Sequence, residues 1–378
     1  MDRATTQLSA LIEQKIGQRD YRAGEEFSVA LFQLYSEPKD YDPQAMLNAL
    51  SLNITDIAYL NQLPAERFVE LLVLMHGLEK RVSPSVLFTD FYEAVTEIGI
   101  RQVRTANWSF SSGVSSILSY FTLADGLDNR HVYLEKILHA FDTVLTSGTG
   151  DADIDQKTSD LLCDYSLATG ITGVLISLLK ACRYTKDNER IGNTVQRISC
   201  WVETQMNVIK DNIIDVNWEL ASMAFFPTSI EQADDLVQVS NELTWSDGDL
   251  GHVFLLYLAA DFWQDSDYYR LAERIGMYTL LRKDFASTGI SHSSFKRGSA
   301  GLVYTYDALW RYSKNSKYQQ GAAFWYQQTI DLLASDVLDS YYEQSFFSLF
   351  DGVIGTALIE EAVRKGTGRE DWMDMMLL

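Results

Sequence analysis

Apolar residues recur at helical spacing along the chain, as in Leu255, Leu256, Leu258 and Ala259 and again in Trp325, Ile330 and Leu333. That period marks amphipathic or buried α-helices. No stretch alternates apolar and polar positions between Gly or Asn turns, as a half-buried strand would. Proline, which interrupts helices, occurs five times and not at all after Pro227. The pattern predicts an all-α fold.

A repeat lies on top of this period. Four segments place two glycines three apart at the start of an apolar helix: GITG at 170–173, GDLG at 248–251, GSAG at 298–301 and GVIG at 352–355. A fifth, GVSS at 113–116, keeps the first glycine and has Ser116 in place of the second. Intervals of 57, 78, 50 and 54 residues separate the first glycines, each long enough for a helical hairpin. Units of this kind stack their helices into an open solenoid or close into a ring. The first glycine is expected to take a left-handed conformation, and the second to let a neighbouring backbone approach closely. Function on such a scaffold belongs to the loops before the glycines, where they converge at one end of the inner layer.

Composition adds exclusions. With 47% hydrophobic and 22% charged residues the chain has enough apolar matter for a core and is unlike a disordered sequence. A net charge of −21 and no local basic patch argue against nucleic acid as a partner and are compatible with a cationic peptide. No segment approaches the roughly 18 consecutive apolar residues of a membrane span, so none is expected. Residues 1–20 carry Asp2, Glu13 and Asp20 and do not read as a signal peptide. Cys163, Cys182 and Cys200 are odd in number and lack close spacing, which predicts buried thiols in a reducing cytoplasm.

The loops before the glycines carry a resemblance. Trp245-Ser246-Asp247-Gly248-Asp249-Leu250-Gly251, preceded by Phe226-Pro227, is similar to the W-C-Y-G-D-L-G motif of the lanthionine synthetase C-like (lantibiotic cyclase) family. Phe295-Lys296-Arg297-Gly298-Ser299-Ala300-Gly301 resembles its L-C-H-G-x-A-G, and Leu167-Ala168-Thr169-Gly170 its L-A-H-G. Ser348-Leu349-Phe350-Asp351-Gly352 resembles its closing S-L-x-x-G. The likeness covers roughly residues 100–365 motif by motif. It implies an α/α toroid of inner and outer helices, with residues 1–378 as a single domain whose first hundred residues add helices to the same ring.

In that family a zinc ion bound by two cysteines and a histidine activates a substrate thiol. The resemblance puts Ser246, Lys296 and Arg297 at the ligand positions. A serine hydroxyl is a poor donor and two cations repel a metal, so no metal ligands and no zinc or other cofactor are expected. Further departures stand at Ser109 for an aspartate, Thr169 for a histidine, Glu242 for an arginine and Asp247 for a tyrosine.

The residues offer other constellations. A displaced metal centre from His252, His292 and Cys163 competes with ordinary packed histidines; His76, His131 and His139 stand outside the repeat loops. The new charges Glu242, Asp247, Lys296 and Arg297 suggest a salt-bridge cluster, for example Asp247 with Arg297, or else a new anion or peptide site. Asp247 or Asp249 with Glu242 could serve a helical-barrel glycoside hydrolase, although these loops lack groove tryptophans. The resemblance therefore implies a degenerate cyclase homologue of lanthipeptide-type modification, without a confident catalytic residue, that binds a precursor peptide or a partner modification enzyme. The alternative is a zinc-independent cyclase in which Lys296 or Arg297 lowers a substrate cysteine's pKa and Asp247 protonates the enolate.

Overall fold

A computed structural model describes residues 3–18, 25–36, 41–51, 53–83, 86–123, 130–147, 151–186, 188–214, 223–231, 236–338, 341–342, 345–366 and 370–378. In chain order its helices are α1 (Arg3–Gly17), α2 (Glu26–Ser36), α3 (Pro43–Leu50), α4 (Ile57–Gln62), α5 (Ala65–Glu79) and α6 (Val86–Arg104). There follow α7 (Val114–Thr122), α8 (Arg130–Ser147), α9 (Ala152–Cys163), α10 (Ile171–Thr185), α11 (Gly192–Asp211) and α12 (Asp249–Trp263). The last are α13 (Ser266–Thr279), α14 (Phe285–Thr288), α15 (Ser299–Ser313), α16 (Ser316–Leu338), α17 (Val353–Lys365) and α18 (Asp371–Asp374). The fold is all-α, with one correction: three-residue strands β1 (Ser229–Glu231) and β2 (Leu236–Gln238) pair antiparallel, Ile230 opposite Val237. Strands this short carry too few alternating positions to be read from sequence.

Two kinds of helix build two layers. Every residue of α12 from Asp249 to Ala260 is buried, and α10 and α17 are nearly as enclosed. Helices apolar on all sides belong inside. By contrast α13 buries only Tyr268, Ala272, Ile275, Gly276 and Thr279, one stripe at helical spacing. The inner helices touch in the cyclic order α2, α5, α7, α10, α12, α15, α17 and back to α2. The ring is therefore closed, and the first hundred residues supply two of its inner members. Outside it α13 packs on α12, α16 on α15, α11 on α10, and α6 and α8 on α7, while α1 bridges α16 and α17.

The segment after α17 runs into the lumen. Trp372, Met375, Met376 and Leu377 are fully buried. The Trp245 indole donates to Met376 O at 3.1 Å, the Tyr304 hydroxyl to Met373 O at 3.1 Å, and Lys180 Nζ to Leu377 O at 2.6 Å. Lys80 and Arg81, just past the end of α5, hold Asp371. Partners on α5, α10, α15 and the loop before α12 surround this segment, so it fills the middle of the ring.

The cysteine expectation needs correction. Only Cys182 is buried; Cys163 is half-buried and Cys200, on the outer face of α11, is exposed. Odd number and wide spacing exclude a disulfide framework but do not fix which face of a helix a thiol occupies. No helix among the described residues is long and apolar enough to cross a membrane.

Candidate functional site

Five inner helices begin at one end of the ring with the glycine loops, and these loops share one construction. In four of the five, the residue after the first glycine reaches back seven residues: Val114 N–H donates to Asn107 O, Ile171 to Asp164 O, Ser299 to His292 O and Val353 to Phe346 O, at 2.8–3.1 Å. The glycine lies inside this loop against its carbonyls. A Cβ at Gly170 would meet Asp164 O at 2.1 Å, and one at Gly113 would meet Asn107 O at 2.3 Å. Only Gly248, at φ +93°, is left-handed; Gly113, Gly170, Gly298 and Gly352 are extended at negative φ. The expected reason for the first glycine thus holds once, and elsewhere the need is room. The second glycine behaves as expected, with Gly301 lying where a Cβ would meet Phe295 O at 2.0 Å.

Neighbouring loops are joined by a belt of main-chain hydrogen bonds. Ser111 N–H donates to Ala168 O at 2.8 Å, Leu167 to Ser246 O at 2.9 Å, Ser246 to Lys296 O at 3.1 Å and Lys296 to Phe350 O at 2.9 Å. Leu349 N–H ends the belt on the buried carboxylate of Glu70 on α5, at 2.9 Å. Beneath it Trp245 packs against Phe110, Phe295 and Phe350, with centroids 5.3–5.8 Å apart. Backbone groups paired both ways over an aromatic floor make a stiff mouth.

The structure brings Glu242, Asp247, Lys296 and Arg297 to this mouth. Arg297 Nε lies 3.4 Å from Asp247 Oδ2, but its side chain is more than half exposed, so solvent leaves the pair little energy. Lys296 pairs at 2.6 Å with Glu66, in the first turn of α5. Ser246 is buried, and its main chain belongs to the belt. Burial and the nearby Asp247 charge raise the pKa of Glu242, opposed by Arg297. Burial and Glu66 likewise raise Asp351, opposed by Lys296, Arg297 and His292.

Ser109 and Thr169 stand apart. They line a polar cavity of about 540 Å³ beside the mouth, together with Asn107, Lys157, Asp160 and Asp164. The Thr169 hydroxyl donates to Asp164 Oδ2 at 2.7 Å, and Ser109 Oγ lies 2.7 Å from Ser112 Oγ. Sequence reasoning missed Glu66, Asp164 and Asp351. Counting back from each first glycine would have found two of them. The place one before holds Ser112, Thr169, Asp247, Arg297 and Asp351, and the place six before holds Asn107, Asp164, Glu242, His292 and Phe346. Four before stands a hydroxyl every time: Ser109, Ser166, Thr244, Ser294 and Ser348. Thr244, Ser166 and Ser348 accept from the main-chain N–H three residues on. Such a contact fixes the turn, so the register makes Ser109 a loop-shaping residue.

The histidines do not form a displaced centre with Cys163. His252 is buried below the mouth, Nε2 3.0 Å from the Thr172 hydroxyl and Nδ1 3.3 Å from Gly248 O, and stacks on Phe226 at 4.1 Å. His292 stacks on Tyr341 at 4.6 Å. Among the described residues no group of three or more His, Cys, Asp or Glu is arranged to hold a metal ion.

Burial pushes the His252 pKa down to about 4, and burial with the Lys80 and Arg130 charges pushes His76 down to about 3. The unfolded chain binds these protons near pH 6.5, so it binds more protons than the native state below that value. Stability should therefore fall as pH drops from 6.5 toward 4, with His252 contributing on the order of 3 kcal/mol. Urea unfolding across this window checks it: His252→Gln should flatten the pH slope by one proton, and an unchanged slope would contradict the assignment.

A closed double ring of helices with a loop-built mouth at one end defines an α/α toroid. The sequence model of the lanthionine synthetase C-like proteins matches residues 89–377, and the chain belongs to that family. Among solved structures it is similar to nisin cyclase, with a TM-score of 0.67 and 14% identity over 98% of this chain and 97% of that one. No curated protein matches it by sequence. At the mouth Lys296 and Arg297 bring positive charge and Ser246 offers only a hydroxyl, a donor set ill suited to a zinc ion.

Proposed function

We propose that this family member is a zinc-free homologue of lanthipeptide-type modification that binds a peptide at the mouth instead of closing thioether rings with a metal-activated thiolate. The observation that carries this reading is the pair of ionic contacts, Lys296 with Glu66 and Arg297 with Asp247, at the positions the family gives to metal ligands. The ligand is a precursor peptide or a partner modification enzyme's peptide segment. Glu66, Glu242, Asp247 and Asp351 outnumber the two cations there, and the chain as a whole carries −21, so a cationic segment is favoured in encounter. A cytoplasmic location, expected from the cysteine usage, belongs to the same proposal.

The likeness to a structure named as a cyclase supports a peptide as ligand. A zinc-independent cyclase would need a cation free to hold a substrate thiolate; Lys296 is engaged by Glu66, which leaves the exposed Arg297 for that role. The two are separated by incubating the protein with a dehydrated, cysteine-containing peptide and following free thiol at constant mass. Binding without acceleration over the uncatalysed reaction is the expected result. Thiol loss faster than that background, suppressed in Asp247→Asn and Arg297→Met, would establish the cyclase.

A further inference from the structure

We propose that the opposite end of the ring is a second binding site, for a small amphiphile with an anionic head. A cavity of about 520 Å³ opens there between the C-terminal halves of α10, α12 and α15, the end of α7 and the lumen segment. That volume is within the range of small-molecule sites. Its floor is apolar, formed by Phe254, Leu258, Ala308 and Met373, with Tyr304 and Tyr312 as walls. Its rim carries Lys180, Arg183, Lys186 and Arg311 against Asp307 and Asp374.

Cations near helix C-termini are ordinary, since they complement the helix dipole. Their position over an apolar floor sets this end apart. In a chain with 52 acidic and 31 basic residues, four rim cations against Asp307, Asp374 and the nearby Asp261 reverse the overall sign. Arg311 is paired with Asp307 and Arg183 with Asp261, which fix the rim's geometry. Lys180 is tied to Leu377 O and lies 5.5 Å from the Phe254 ring centre, its stem against the floor. Lys186, just past the end of α10, is exposed and carries its charge at the opening. A carboxylate head at the rim with a hydrocarbon tail on the floor satisfies both surfaces, and neither a cation nor an uncharged head does.

The test is calorimetric titration of the full chain with laurate, dodecyltrimethylammonium and dodecyl maltoside, each below its micellar concentration. Laurate alone should bind saturably, and more weakly as salt rises. Lys186→Glu, a surface change, should weaken it roughly tenfold. Ala308→Trp, which fills the cavity, should abolish it, with far-UV circular dichroism confirming the fold. If that variant misfolds, Lys186→Glu decides alone. Absence of saturable laurate binding, equal binding of the cationic amphiphile, or laurate affinity unmoved by Lys186→Glu would overturn the proposal.

Discussion

Replacing Asp249 by alanine is expected to destabilise the protein by about 3–5 kcal/mol, the range for removing one partner of a buried ion pair. Asp249 and Arg282 are both fully buried and lie 2.7 Å apart. One Asp249 oxygen faces Arg282 while the other accepts the Phe225 and Phe226 N–H groups at 3.0 and 3.1 Å. Arg282 spends its other donors on the Ser287 and Asn241 carbonyls at 2.8 and 2.7 Å. Alanine would strand a buried guanidinium and two amides at once, and loosen the loop that carries Glu242. Chemical unfolding gives the comparison: Asp267→Ala, which removes an exposed pair with Arg270, should change stability by less than about 0.5 kcal/mol. A loss under about 1 kcal/mol in Asp249→Ala would show that the pair does not hold this end of the ring together.

Truncating Trp372 to alanine should also cost about 3–5 kcal/mol, as for a large aromatic side chain removed from a packed interior. Trp372 has no exposed surface and lies 5.8 Å from Phe295, part of the aromatic floor of the mouth. The loss should extend to the mouth, because the same segment accepts the Trp245 indole at Met376 O. Unfolding curves and near-ultraviolet circular dichroism would both move. A Trp372→Ala protein as stable as the parent would mean that residues 370–378 leave the lumen in solution.

Much of the ring could be read from the sequence, since five of its inner helices announce themselves by glycines in register. Two could not: α2 and α5 have no such pair, and α5 starts after Pro64 with no side-chain cap. The glycines were right in place and partly wrong in cause, because a clash with a carbonyl six residues back exists only once the loop has closed. The Asp247–Arg297 pair was legible because the two residues carry opposite charge on neighbouring loops of the repeat. Lys296 instead found Glu66, 230 residues away, a contact that no local pattern encodes. The lumen segment WMDMMLL reads only as a short apolar run, and whether such a run covers the outside of a ring or fills its inside depends on the space the ring leaves.

The central proposal is that charged side chains, each in an ionic contact, stand at the mouth where a metal would otherwise bind. Its most direct test is elemental analysis of protein produced in zinc-replete medium and purified without chelators. The account predicts zinc far below one equivalent per chain, unchanged by Lys296→Met. One tightly held equivalent per chain would contradict it.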